Sequence, residues 1–209
     1  MALDQLLSEC SEILDSEFGV KPEESTYTLY SEERWRDFLA RTHSDEQSLG
    51  VYLPRSRTAH LKEDSEFLPV NFIHEYFGHG LFCEYSSIGK EIVVLEQQLA
   101  ETEKKMLGLE QLPEDGHFRV DETDPYFQDY KNQREQVAEF LSRNIYCYEG
   151  FAMWLEGHLA HSTGNGFLFD RKMEEVVHPA YKELFEQFRS FEEAYGRPAL
   201  LSLSGFTKS

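Results

Sequence analysis

Two histidines and a glutamate, residue types that hold a divalent metal and activate a water, stand together in Asn71-Phe72-Ile73-His74-Glu75-Tyr76-Phe77-Gly78-His79-Gly80. Tyr76, Phe77 and Gly78 separate Glu75 from His79, so the pattern is H-E-x-x-x-H, one residue longer than the common H-E-x-x-H. On a regular α-helix, imidazoles at i and i+4 stand about 40° apart and can face one ion, whereas those at i and i+5 stand about 140° apart. One extra residue taken up as a π-bulge restores the alignment, and such bulges gather at functional sites. Gly78, which lacks a Cβ, eases that distortion. A shared metal therefore predicts a π-type turn between His74 and His79. Without it, the pair reads as core histidines satisfied by a carboxylate.

The string from His74 to Gly80 resembles the HExxGH motif of the dipeptidyl peptidase III metallopeptidases, which carry this longer variant. The resemblance implies a gluzincin-type zinc metallopeptidase whose third ligand is a Glu on a later helix. Tyr148-Glu149-Gly150-Phe151-Ala152-Met153-Trp154-Leu155-Glu156 is similar to that family's second motif through Glu149-x-x-Ala152. It also resembles the EG-aromatic-A segment of other gluzincins with a lengthened motif. The implied set is one Zn2+ per chain on His74, His79 and Glu149, with Glu75 as the general base that activates its water. The acids that flank the family's second motif fall here on Tyr148 and Met153. The likeness covers about sixteen of 209 residues, so it implies the gluzincin class and not a dipeptidyl specificity.

Other ligand sets fit less well. The glycine and third histidine of a metzincin would fall on Phe82 and Tyr85. Glu84 follows His79 by five residues on the same helix, too close to be the third ligand, and the thermolysin-like position is Gln98, bracketed by Glu96 and Glu101. Glu96 is the spare candidate. Glu156 lies seven residues after Glu149, on the same helix face, where it is placed to orient a ligand. His178 and Tyr181 are candidates for stabilising an oxyanion, with Tyr146 and His158 behind them. Gly50 to Leu61, just ahead of the metal helix, offers an edge strand for a substrate peptide.

The elements that must position these residues are mostly helical. Leu3, Leu6, Leu7, Ile13, Leu14 and Phe18 recur at helical spacing, and the pattern ends near Gly19 and Pro22. Thr26 to Tyr30 is β-prone, and Ser31 precedes a short helix through Trp35, Phe38 and Leu39. Ser48 to Leu61 reads as extended, with a turn around Pro54 to Ser56. Phe67 to Tyr85 is a buried helix by its apolar density, and Glu91 to Leu107 an amphipathic one with a solvated face. Asp124 to Leu159 is one long helix or two, and Arg171 to Tyr195 another. The expectation is an α+β, predominantly helical, gluzincin-like domain with a small antiparallel sheet ahead of the metal helix. It spans 1–209, with a possible subdivision near 110–124.

Thirty-nine acids against twenty bases give a formal charge of −19, which repels phosphate backbones and anionic lipid heads. Nucleic acid and membrane are disfavoured as partners, and no apolar run approaches the length of a membrane span. Cys10, Cys83 and Cys147 are odd in number and lack a CxxC, which reads as reduced thiols in a cytoplasmic protein. The start, MALDQLLSEC, does not resemble a secretory signal. Two other readings compete with a peptidase acting on peptides or proteins. Glu175-Val-Val-His178 fits the Glu-x-x-His spacing of helical two-metal redox proteins, but its only companion, Glu114-Asp-Gly-His117, falls in a turn; His117 there is expected to be idle. An inactive or self-inhibited metal-binding peptidase fold is the other, with the apolar tail Arg197 to Ser209 lying extended in its own cleft.

Overall fold

A computed structural model describes residues 2–42, 44–109 and 122–206. Helix α1 (Leu3–Phe18) buries Leu6, Cys10 and Leu14, a four-residue repeat that makes one apolar stripe, and stops where Gly19 turns left-handed. Strand β1 (Thr26–Tyr30) leads into α2 (Glu32–Thr42), and β2 (Gly50–Leu53) and β3 (Thr58–Lys62) form a hairpin. The sheet order is β1-β3-β2. It is a mixed sheet, which corrects the antiparallel expectation: β2 and β3 are antiparallel, but β1 pairs with β3 in parallel, Thr26 against Thr58 through Tyr30 against Lys62. The cause is the α2 crossover, which returns the chain to the sheet so that β3 runs alongside β1 and β2 takes the outer edge. Trp35, Phe38 and Leu39 of α2 close a small core with Tyr30 over this sheet.

A helical rod follows, made of α3 (Leu68–Phe72), a π-helix (Ile73–His79) and α4 (Gly80–Tyr85). Ser86 then caps α5 (Ser87–Leu107) by accepting a hydrogen bond from the Gly89 N–H at 2.8 Å. The single helix α6 (Phe127–Ser162) packs along the π-helix, α5, α7 (Gly166–Glu175) and α8 (Pro179–Tyr195). The main core gathers Phe72, Ile73, Phe77 and Phe82 of the rod, Phe151, Leu155 and Leu159 of α6, and the stripe of α1.

Two further expectations are corrected. Arg171 to Tyr195 is two helices, not one, because Pro179 cannot continue α7 and instead starts α8, with His178 as its cap. The tail is not extended: Arg197–Leu203 is helix α9, Leu200 is buried, and Phe206 bridges to Ser86 and packs on Phe82, Tyr85 and Phe151. The possible subdivision near 110–124, and with it Glu114 and His117, lies almost wholly outside the described residues. Among the described residues no helix is long and apolar enough to cross a membrane, and Cys10, Cys83 and Cys147 are free thiols.

Candidate metal centre

The seven residues Ile73–His79 are wound as a π-helix and all are buried. A π turn closes from i to i+5, so His74 and His79, five apart, come to one side of the rod. Their ring centroids are 4.8 Å apart and their planes stand at 89°. This is the geometry that the lengthened spacing requires for two imidazoles to converge.

Gly78 has a task beyond easing the π turn. A Cβ there would lie 2.8 Å from the Cβ of Ala152 and 2.9 Å from its Cα. The missing side chain lets the rod and α6 meet backbone against side chain, closer than any other residue permits. That contact delivers Glu149, one turn before Ala152, to the two rings. Its Oε2 is 3.6 Å from His74 Nε2 and 3.6 Å from His79 Nε2. These separations are too long for hydrogen bonds. They are near the roughly 3.4 Å expected between two ligand atoms about 2.0–2.1 Å from a tetrahedral zinc ion. Among the described residues, His74, His79 and Glu149 form the one cluster able to offer three ligand atoms to a metal, all within 4.8 Å of one another.

Surrounding groups fix each member. His74 Nδ1 is 2.9 Å from Glu156 Oε2, and the other oxygen of Glu156 accepts from Lys172 Nζ at 2.7 Å. Glu156 is fully buried. The Tyr148 ring stacks on His79, centroids 4.1 Å apart, while His79 Nδ1 has no hydrogen-bond partner among the described residues. Tyr52 of β2 lies beyond, 6.2 Å from the His79 ring. The Glu75 side chain lies against the edge strand, where a Cβ on Gly50 would come within 2.7 Å of its Cγ and 2.8 Å of its Oε1.

Burial in one small volume sets the protonation of these groups in the metal-free protein. Burial opposes charge on His74, but Glu149 and Glu156 overcome it and carry its pKa up to about 10. Burial pushes His79 down to about 3. Glu75 is pushed up to about 7 by burial, with His74 pulling the other way and Glu149 adding to the rise. Burial also pushes on Glu149 and Glu156, yet both are held below the usual carboxylate range, Glu149 by His79 and His74 and Glu156 by Lys172 and His74. An entering cation must therefore displace a proton from His74.

The remaining candidates sort cleanly. Glu156 sits behind His74, as its spacing from Glu149 suggests. Glu84 is elsewhere, accepting from the backbone N–H groups of Glu23, Glu24 and Ser25 and from the Ser25 hydroxyl. The spare candidate Glu96 is not part of the three-ligand cluster: burial pushes its pKa up, with Arg55 opposing and Glu103 adding to the rise. The charge of Glu149, then burial and the charge of Glu75, raise the phenol of Tyr181. His178 caps α8 by accepting from the Ala180 N–H, Tyr146 packs on Phe188, and His158 pairs with Glu17. Glu175 and His178 are split between two elements, so the helical Glu-x-x-His spacing is not realised. Of Gly50 to Leu61, only β2 is an edge.

Lys172, Gly50 and the stacking role of Tyr148 escape the sequence reading. Lys172 had a signal: it follows Phe169 by three residues, on the apolar face of α7, where a lysine is out of place. Comparisons with models of known families, with curated proteins and with solved structures return no match.

Proposed function

We propose that this protein is a zinc-dependent peptidase of the gluzincin class, acting on peptides or proteins in the cytoplasm, with Glu75 as general base. The observation that carries the reading is the convergence of His74 and His79, each with its Nε2 3.6 Å from Glu149 Oε2, beside a carboxylate, Glu75, that lies against the edge strand β2. Two nitrogens and one carboxylate oxygen suit zinc, and three protein ligands leave a fourth position for water. A zinc ion held there supplies a Lewis acid that acidifies that water and polarises a peptide carbonyl.

The protein's own groups do the rest. Glu75 accepts a proton from the attacking water and passes it to the departing amine as the C–N bond breaks. Glu156 and Tyr148 hold the two imidazoles in place. The outer edge of β2 offers backbone N–H and C=O groups to an extended peptide next to Glu75. Tyr181, whose phenol is raised by the charges of Glu149 and Glu75, is the donor this reading assigns to the charge that develops on the carbonyl oxygen.

The test is metal content per chain by mass spectrometry on untagged protein, joined to a peptide-cleavage assay. Wild type should hold one zinc, Glu149→Ala should lose it, and Glu96→Ala should keep it. Glu75→Gln should keep the metal and lose about 10²–10⁴-fold in cleavage. A wild-type chain that takes up no zinc when zinc is offered, or a Glu75→Gln variant that cleaves at the wild-type rate, would overturn the proposal.

A further inference from the structure

We infer that Lys172 is a positioning residue for the metal centre, acting through Glu156 to fix the His74 ring; the inference rests on the zinc reading above. The chain of contacts is short. Glu156 divides its two oxygens, Oε2 to His74 Nδ1 at 2.9 Å and Oε1 to Lys172 Nζ at 2.7 Å. A buried carboxylate with one partner can turn about its last bond and exchange its oxygens. With both oxygens engaged its plane is held, and with it the direction from which it accepts the Nδ1 proton of His74. A carboxylate only accepts, so it keeps that proton on Nδ1 and leaves Nε2, the nitrogen that faces Glu149, to bind a cation.

Packing alone does not call for this lysine. Its ammonium is almost wholly withdrawn from water on the apolar face of α7, beside Phe169. Taking an ammonium out of water is costly, and well-packed apolar residues of similar volume often replace a buried ion pair without loss of stability. A Glu156–Lys172 pair whose free oxygen ends on a candidate ligand has a use that an apolar pair lacks. The bond also spans the turn between α6 and α7, so it ties the carboxylate that holds the ring to a second element.

The experiment measures zinc affinity by competition with a chromophoric chelator, and thermal stability, for the full chain as wild type, Lys172→Met, Glu156→Gln and the double variant. Lys172→Met should weaken zinc binding about 10–100-fold, the usual effect of losing a group that orients a ligand. Glu156→Gln should weaken it at least as much, and the double variant should be no weaker than Glu156→Gln alone, because the lysine acts only through the glutamate. In the zinc-loaded protein, NMR should show a His74 Nδ1 proton that exchanges slowly with water in wild type and faster in Lys172→Met, where the accepting carboxylate is no longer held. Should Lys172→Met not fold, Lys172→Gln, a neutral donor of shorter reach, carries the same expectation. Zinc affinity within twofold of wild type, with only the melting temperature lowered, would overturn the positioning role and leave the zinc reading intact. A wild type that binds no zinc would overturn both.

Discussion

Gly78→Ala is the substitution on which the architecture of the site turns. The new Cβ would stand 2.8 Å from the Ala152 Cβ and 2.9 Å from its Cα, against the roughly 3.5–4.0 Å of an ordinary carbon contact. The rod and α6 must therefore separate by about 0.7–1 Å along that line. Overpacking of this kind costs about 1–3 kcal/mol, offset by up to about 1 kcal/mol because alanine is the better helix former. The net loss, about 0–3 kcal/mol, lowers the melting temperature by no more than about 12 °C in a chain of this size. The larger effect falls on the metal. Glu149 rides on α6 one turn from the contact, and a shift of its carboxylate by most of an ångström spoils two 3.6 Å spacings together. Zinc affinity should drop by at least about tenfold, or 1.4 kcal/mol. Removing the opposing methyl should not repair this, because the Cα of residue 152 stays 2.9 Å from the new atom. Calorimetry and zinc titration of Gly78→Ala, Ala152→Gly and the double variant decide the matter. Unchanged zinc affinity in Gly78→Ala, or full recovery in the double variant, would refute the claim that this close approach places the third ligand.

The other expectations concern the base, the oxyanion and a remote histidine. Gly50→Ala should push the Glu75 side chain away from its present place, since the added Cβ meets its Cγ at 2.7 Å; cleavage should fall about tenfold or more while zinc affinity holds. Tyr181→Phe should lower kcat by about 10²-fold with zinc affinity unaltered, and a wild-type kcat would remove the phenol from the mechanism. His60, buried in the small core against Phe38 and bonded to the Tyr30 hydroxyl, has its pKa pushed down to about 4 by burial and by Arg55. Between pH 6.5 and about 4 the unfolded chain binds this proton first, so stability falls as pH falls through that window, by up to about 3 kcal/mol. His60→Phe should remove that part of the acid sensitivity; identical melting curves for wild type and variant against pH would contradict it.

How much of this was legible depends on whether the deciding interaction is local. For His74 and His79 to face one ion, their lengthened spacing requires a π turn, and that turn is present. Glu156 was equally legible, because seven residues return to the same face of any α-helix. The parallel pairing of β1 with β3 was not, since register across a crossover is settled by what packs above the sheet, here Trp35 and Phe38, and leaves no mark in the strands. The break at Pro179 is legible in the sequence, since a proline lacks the N–H that a continuing helix needs.

Gly78 shows why a correct residue can carry an incomplete reason. Read along one helix, a glycine beside a π turn relieves strain. Packed against α6, it is the half of a contact whose other half, Ala152, lies 74 residues away, and the small residue in each motif is there for the other. The alanine three places after Glu149 and the glycine one place before His79 thus describe a single helix crossing. The crossing sets the height of the carboxylate between the rings, and the Glu156–Lys172 pair sets the angle of one of them. Both contacts end on α6, which carries Glu149 and Glu156 alike, so Gly78→Ala, by moving that helix, also disturbs the carboxylate that Lys172 holds. The double variant of Gly78→Ala and Lys172→Met should therefore lose less zinc affinity than the sum of the single losses.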